Sequence, residues 1–184
     1  MTNQSHTKPQ RDQLLAAGKI LTVLLQAVTA IVSIGLTILI PVILFNSDQV
    51  ASSLADSGST ASVATILTLI VVFLAAVIVV VATAFHFFQL LGRIIDTVRD
   101  GEPFVEINAD RLSRMGWIVL LFQVASFPIG AVASYLAAQM PDHVDVSADI
   151  EFSLTGILMA IVLFILARVF RHGIKMREDL EGTV

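Results

Sequence analysis

The chain has 184 residues, no cysteine and a formal net charge of −4, and 56% of its residues are hydrophobic while only 14% are charged. The absence of cysteine excludes disulfides, thiolate metal sites and cysteine nucleophiles. A mean hydropathy of +0.86 excludes an ordinary soluble domain, because so few charged residues could not cover the surface of its core.

Four apolar runs are long enough to cross a bilayer as helices, which takes about 20 residues each. They are approximately residues 20–45, 63–88, 116–138 and 152–170. The first three contain no Asp, Glu, Lys or Arg, and the fourth reaches Arg168 only in its last turn. Since a charge at the centre of a span costs about 2.5 to 3.5 kcal/mol, we predict an all-α integral membrane four-helix bundle, a single membrane domain over residues 1–184.

The first run carries five polar side chains at three- or four-residue spacing on one helical face. They are Thr22, Gln26, Thr29, Ser33 and Thr37. We interpret this face as a source of interhelical hydrogen bonds. The alternative is a transport pathway, which would be lined by Gln26 and by Gln123 of the third run.

The second run continues beyond the length that lipid requires. Its apolar stripe goes on at helical spacing through Leu90, Leu91, Ile94, Ile95 and Val98. A helix from Ser62 to Arg99 would be about 57 Å long, whereas the hydrocarbon core is about 30 Å thick. Gly101 suits the left-handed position that ends a helix, and Pro103 prevents its continuation.

The third run also begins before lipid, because Asn108 is a favourable N-cap and Asp110 would then lie in the first helical turn. We therefore predict a helical hairpin loop over residues 92–114, in which residues 103–107 form the tight link between the two helices. The fourth run continues into a charged tail. Apolar stripes outside lipid need a surface to pack on, so these extensions predict a small platform of packed helix ends. Solvated helix ends are the alternative.

The positive charges fix the expected orientation. All eleven Lys and Arg residues lie before the first run, between the second and third, or at and after the end of the fourth, together with nine acids. The other two loops hold six acids and no base. By the positive-inside rule, both termini and the 92–114 loop are cytoplasmic.

The charged loop and the tail carry a family resemblance. The run Leu90-Leu91-Gly92-Arg93-Ile94-Ile95 leads into Gly101-Glu102-Pro103-Phe104 and, after three residues, Asn108-Ala109-Asp110-Arg111-Leu112. This pattern, with Phe170-Arg171-His172-Gly173 and the last five residues, resembles the domain-of-unknown-function 2975 (DUF2975) family of bacterial membrane proteins. That family has four spans and a central loop of the form G-x-P-F, three residues, N, two or three residues, R-L.

The resemblance implies a location in the bacterial plasma membrane but no activity, cofactor or catalytic residue. Because members are often encoded beside a short helix-turn-helix regulator, it implies a membrane partner or regulator of a cytoplasmic DNA-binding protein. The loop motif that would dock such a partner, or hold the loop in shape, consists of Gly101, Pro103, Phe104, Asn108, Arg111 and Leu112. For Phe104 and Asn108 we favour the structural role, with Phe104 filling the gap between helix ends.

Small residues recur every four positions in the third and fourth runs, as in Gly130-x3-Ser134 and Gly156-x3-Ala160. Such stripes let helices approach closely, within one chain or between copies, so a homo-oligomer stays open. Prolines inside the first and third runs, Pro41 and Pro128, predict kinks.

Other classes of function find few parts in this sequence. It has no HExxH, no GxSxG and no phosphate-cradling glycine loop, so we predict no enzyme, no catalytic residue and no cofactor. The acidic segment over residues 142–151 offers oxygen ligands without the spacing of a calcium loop, and we predict no metal site. Because the basic residues are mixed with acids, we expect no direct nucleic-acid binding. A small transporter or pore component is the alternative function.

Overall fold

Long helices make up the described part of the chain. The computed structural model describes residues 7–56, 62–139 and 153–181, which form five α-helices and no strand. The helices are α1 Thr7–Phe45, α2 Ser47–Asp56, α3 Val63–Arg99, α4 Glu106–Ala138 and α5 Leu154–Glu181. All except α2 are long and apolar enough to cross a membrane. The predicted all-α class with four candidate membrane spans is confirmed.

The helices outrun the apolar segments, as the sequence predicted for the second run. Helix α3 has 37 residues, which makes it about 55 Å long, and it ends at Arg99. Helix α4 begins ten residues before its apolar run, and α5 continues past Phe170 to Glu181. Pro41 and Pro128 lie inside α1 and α4, and both helices continue beyond them.

Helix α2 was not predicted. It follows α1 after Asn46, whose side-chain amide donates to the Val42 carbonyl and so satisfies an acceptor at the end of α1. Leu54 is the buried residue of α2. The signal in the sequence was weak. Val50 and Leu54 share a helical face, and Asp48 lies in the first turn, but a ten-residue segment is too short to show the repeated apolar spacing that identifies a helix.

The chain divides into two compact units. The first comprises Met1–Thr29, Ala84–Leu120 and Leu154–Val184, and the second comprises Ala30–Thr83 and Leu121–Ser153. The first unit contains the predicted hairpin loop. Its buried apolar residues come from α3, α4 and α5: Leu90, Ile94, Ala109, Leu112, Met115, Ile118, Ala160, Leu163 and Ala167.

The second unit contains a cavity of about 240 Å³ between α3 and α4. Thr83 is the polar side chain among its lining residues, and its hydroxyl donates to the Val79 carbonyl of its own helix. Pro128 and Phe122 line the opposite wall. This cavity therefore presents an apolar surface, which offers a polar solute no hydrogen-bonding partner.

The polar face of α1 forms fewer interhelical hydrogen bonds than expected. Gln26 donates across to the Phe88 carbonyl of α3 at 3.1 Å. Thr22, Thr29 and Thr37 instead donate to carbonyls of α1 itself. A threonine hydroxyl reaches the carbonyl three or four residues earlier on its own helix, so it needs no neighbouring helix. The interhelical interpretation holds for Gln26 and is wrong for these threonines.

Candidate functional site

The end of α3 is a tight, fully bonded helix terminus. Gly101 has a φ of 85°, and its N–H donates to the Val98 carbonyl at 3.2 Å. The Glu102 N–H donates to the Thr97 carbonyl at 3.0 Å. These two bonds form a Schellman motif, which satisfies carbonyls that would otherwise lack partners at the helix end. The left-handed glycine predicted from the sequence is therefore present, and it fixes where the chain leaves α3.

Gly101→Ala is expected to lower the free energy of unfolding by about 1 kcal/mol, because an L-residue in the left-handed region is strained. No atom lies within 4 Å of the added Cβ, so the cost comes from backbone conformation alone. Denaturation in mixed detergent micelles, followed by the fluorescence of the single tryptophan, measures it. Gly35→Ala, a helical glycine with equally open space, is the control and should not lose stability. An equal change in both variants would contradict the prediction.

Asn108 is the centre of the connector, which we define as residues 100–105 together with the first turn of α4. Its side chain has 0% exposure. The amide nitrogen donates to the Thr97 hydroxyl at 2.6 Å and to the Pro103 carbonyl at 3.0 Å, and the amide oxygen accepts from Arg111 at 2.9 Å. One buried amide thus joins α3, the connector and α4.

The predicted N-cap role of Asn108 is wrong. Helix α4 begins at Glu106, so Asn108 lies inside its first turn and Asp110 lies beyond that turn. The Asn108 side chain points to Thr97 and Pro103 rather than to the free N–H groups of its own helix. The physical reason is tertiary: the side-chain oxygen, which would have to accept from a backbone N–H in order to cap, accepts from Arg111 instead, and the amide nitrogen donates to Thr97 of α3 and to Pro103 of the connector.

Arg111 closes the network from the other side. Its guanidinium donates to Asn108 and, at 3.1 Å, to the Arg93 carbonyl of α3. Arg111 precedes the apolar run of α4, and burial lowers the pKa of its guanidinium, with the nearby charge of Arg93 acting in the same direction and Asp96 opposing it. An arginine nevertheless stays cationic at physiological pH, so this link does not titrate there.

Phe104 joins the connector to α5. Its ring lies 5.3 Å from the ring of Phe170, measured between centroids. A Cβ added to Gly173 would lie 2.9 Å from the Phe104 ring, so the glycine leaves the space that the ring occupies. The predicted filling role of Phe104 is supported by this packing, although 44% of the residue stays exposed.

Charged side chains join α1 to this region and add a second contact from α5. Lys19 of α1 donates to the Asp96 carboxylate of α3 at 2.6 Å. Arg171 of α5 donates to Asp110 at 3.2 Å and to the Ser113 hydroxyl at 3.0 Å. Both pairs are partly exposed, so each contributes well under about 1 kcal/mol. These ion pairs therefore affect the relative orientation of the helices more than the free energy of unfolding.

The predicted motif residues therefore have different surroundings. Pro103, Asn108 and Arg111 are joined by hydrogen bonds, and Leu112 is buried in the core of the first unit. Phe104 contacts α5, while Gly101 faces open space.

Two partners of this network were not predicted from the sequence. Thr97 accepts from Asn108 through its hydroxyl and donates to the Ile94 carbonyl, and Gly173 makes room for Phe104. Thr97 carried a usable signal, since a polar residue on an apolar helical face one turn before a helix-ending glycine must find a partner. Gly173 carried a weaker one, as a glycine within a helix.

A match over most of the chain decides the family. A family model described as "Protein of unknown function (DUF2975)" matches residues 49–184, well over half of the chain. The chain belongs to the DUF2975 family. No curated protein and no solved structure matches it. The DUF2975 match begins within α2 and includes all of α3, α4 and α5, whereas α1 precedes it.

The DUF2975 assignment and the four candidate spans make this a multi-pass membrane protein of unknown function. The Asn108 side chain bonds to the side chains of Thr97 and Arg111 and to the Pro103 carbonyl, and among the described residues no buried side-chain nitrogen or oxygen lacks a partner. These bonds join α3, the connector and α4. The acidic segment over residues 142–151, weighed above as a cation site, lies outside the described residues.

Proposed function

We propose that this protein is a non-enzymatic membrane partner or regulator of a cytoplasmic protein and that it docks its partner through the connector. The observation that carries this proposal is the contrast between a rigid base and an apolar surface. Asn108 is buried and fully bonded, yet Phe104 and Ile107 beside it are 44% and 55% exposed.

Exposed apolar side chains on the membrane-spanning segments of this chain are expected, because lipid covers them. Phe104 and Ile107 instead follow the end of α3, which lies beyond the apolar run that spans the bilayer. Their neighbours in the sequence include the charged residues Glu102 and Glu106. Apolar groups ringed by charge outside lipid are typical of protein-binding surfaces. The cluster of positive charges supports a cytoplasmic position for this end, where a helix-turn-helix regulator of the kind implied by the family resemblance would meet it.

Ile107→Asp is expected to abolish recovery of the regulator with the protein, because a carboxylate on the docking surface cannot be desolvated without a partner charge. The substitution leaves the buried network untouched, since Ile107 is exposed and makes none of its contacts. The measurement is co-purification of a short helix-turn-helix regulator, of the kind that the resemblance implies, co-expressed with each variant in membranes.

Ile107→Leu is the matched control, because it keeps an apolar side chain at the same exposed position and should retain most of the regulator. Photo-crosslinking from position 107 in native membranes identifies the partner directly. If Ile107→Asp inserts normally and retains the regulator as well as the wild type does, the docking proposal is wrong.

A transporter or pore component is less well supported. Its two candidate pathway residues are engaged in structural bonds: Gln26 donates to the Phe88 carbonyl and Gln123 to the Ser153 carbonyl. The cavity between α3 and α4 is apolar.

A further inference from the structure

One face of α5 changes from apolar to basic along its length. Exposed apolar residues follow one another at alternating spacings of four and three: Leu154, Leu158, Ile161 and Ile165. The same spacing continues with exposed Arg168, His172 and Lys175. Residues spaced in this way lie in one stripe along a helix. We call this set of seven residues the α5 stripe.

The two parts of the α5 stripe have the dimensions of a lipid in one leaflet. From Leu154 to Ile165 the helix rises about 16 Å, and from Arg168 to Lys175 about 10 Å. Half of a hydrocarbon core is about 15 Å thick. The apolar part is therefore long enough to contact an acyl chain along its length, and the basic part follows at the end where the predicted span stops.

The basic part borders an open space at the surface of α5. Its volume is about 280 Å³, and it is lined by Arg168, Arg171, His172 and Lys175. Arg171 is held at its edge by Asp110 and Ser113. Within the described ranges, no acidic side chain forms an ion pair with Arg168, His172 or Lys175. Two permanent positive charges thus face a space large enough for a phosphate group.

We propose that the α5 stripe binds an anionic phospholipid. The phosphate lies between Arg168, His172 and Lys175, and one acyl chain runs along Leu158, Ile161 and Ile165. A lipid with a net negative headgroup is favoured over a zwitterionic one, because Arg168 and Lys175 are otherwise uncompensated and each basic residue near a membrane surface attracts anionic lipid. This site is independent of partner docking at the connector.

Native mass spectrometry of the detergent-solubilised protein tests the proposal, with phosphatidylglycerol and phosphatidylcholine of identical acyl chains as probes. The wild type should bind phosphatidylglycerol about tenfold more tightly, in keeping with the attraction between basic residues and anionic lipid. The double variant Arg168→Gln/Lys175→Gln should lose that preference. Arg99→Gln/Arg114→Gln removes two exposed positive charges elsewhere and should keep it.

Two further arms separate the headgroup from the acyl chain. Ile161→Asn should weaken binding of phosphatidylglycerol severalfold while the protein stays folded by circular dichroism. Inorganic phosphate at millimolar concentration should not displace the lipid. Equal binding of both lipids by the wild type, an equal loss of preference in the two double variants, or full displacement by inorganic phosphate would each overturn the proposal.

Discussion

Asn108→Ala is expected to lower the free energy of unfolding by about 2 kcal/mol, within the range of about 1 to 3 kcal/mol for a buried group that loses its partner. The substitution removes three hydrogen bonds at once. It leaves the Pro103 carbonyl and one donor of Arg111 without the partners they have now. Because all three elements that meet at Asn108 lose their common link, we expect the connector to loosen as a unit. Denaturation of the purified protein in mixed micelles measures the change.

Asn46→Ala is the control for the loss of an asparagine. Asn46 makes a local, exposed hydrogen bond to Val42, so its removal should cost less than about 0.5 kcal/mol. A double-mutant cycle with Thr97→Val isolates the link to α3, and a coupling energy of at least about 0.5 kcal/mol is expected for residues that share a buried bond. Additive effects would show that Asn108 and Thr97 do not act together.

Gly116→Leu is expected to be the other strongly destabilising change, by about 1 to 3 kcal/mol. Even a single Cβ at this position would lie 2.9 Å from the ring of Phe164 on α5. The Phe164 ring also packs against Trp117 in a T-shaped arrangement, with centroids 5.5 Å apart, so moving it disturbs a second contact. Helices α4 and α5 must therefore separate or Phe164 must leave its position.

Trp117 makes this change visible without a label, since it is the single tryptophan of the chain. Its emission should shift in Gly116→Leu before unfolding, along with a lower unfolding midpoint. Gly35→Leu places the same side chain where no atom lies within 4 Å of the new Cβ, and it should unfold like the wild type. Equal midpoints for both leucine variants would show that the approach of α4 to α5 at Gly116 is looser than described.

Features that depend on local chemistry could be predicted from the sequence. The end of α3 is an example, because an apolar stripe that stops before Gly101 and Pro103 is enough to predict where the helix ends. The length of α3 followed from the same stripe. Both predictions used only residues that are close together in the sequence.

Features that depend on distant partners could not. Asn108 looked like an N-cap, since a capping residue and a buried amide have the same side chain, and only the position of Thr97 decides between them. Gly173 gave no reason to expect an aromatic ring from the connector against it. Helix α2 was not predicted because one buried residue, Leu54, does not produce the recurring apolar spacing by which a helix is recognised.

The order of the contacts along the chain has a consequence for biogenesis. Asn108 and Arg111 find their partners within 18 residues, so the α3–α4 turn can close at little loop-closure cost before α5 is synthesised. Arg171 pairs with Asp110 across 61 residues, and the Phe104 ring contacts Phe170 on α5 across a similar separation. The hydrogen bonds of the α3–α4 turn therefore need no residue of α5, and the contacts of α5 are expected to add to a turn that is already formed.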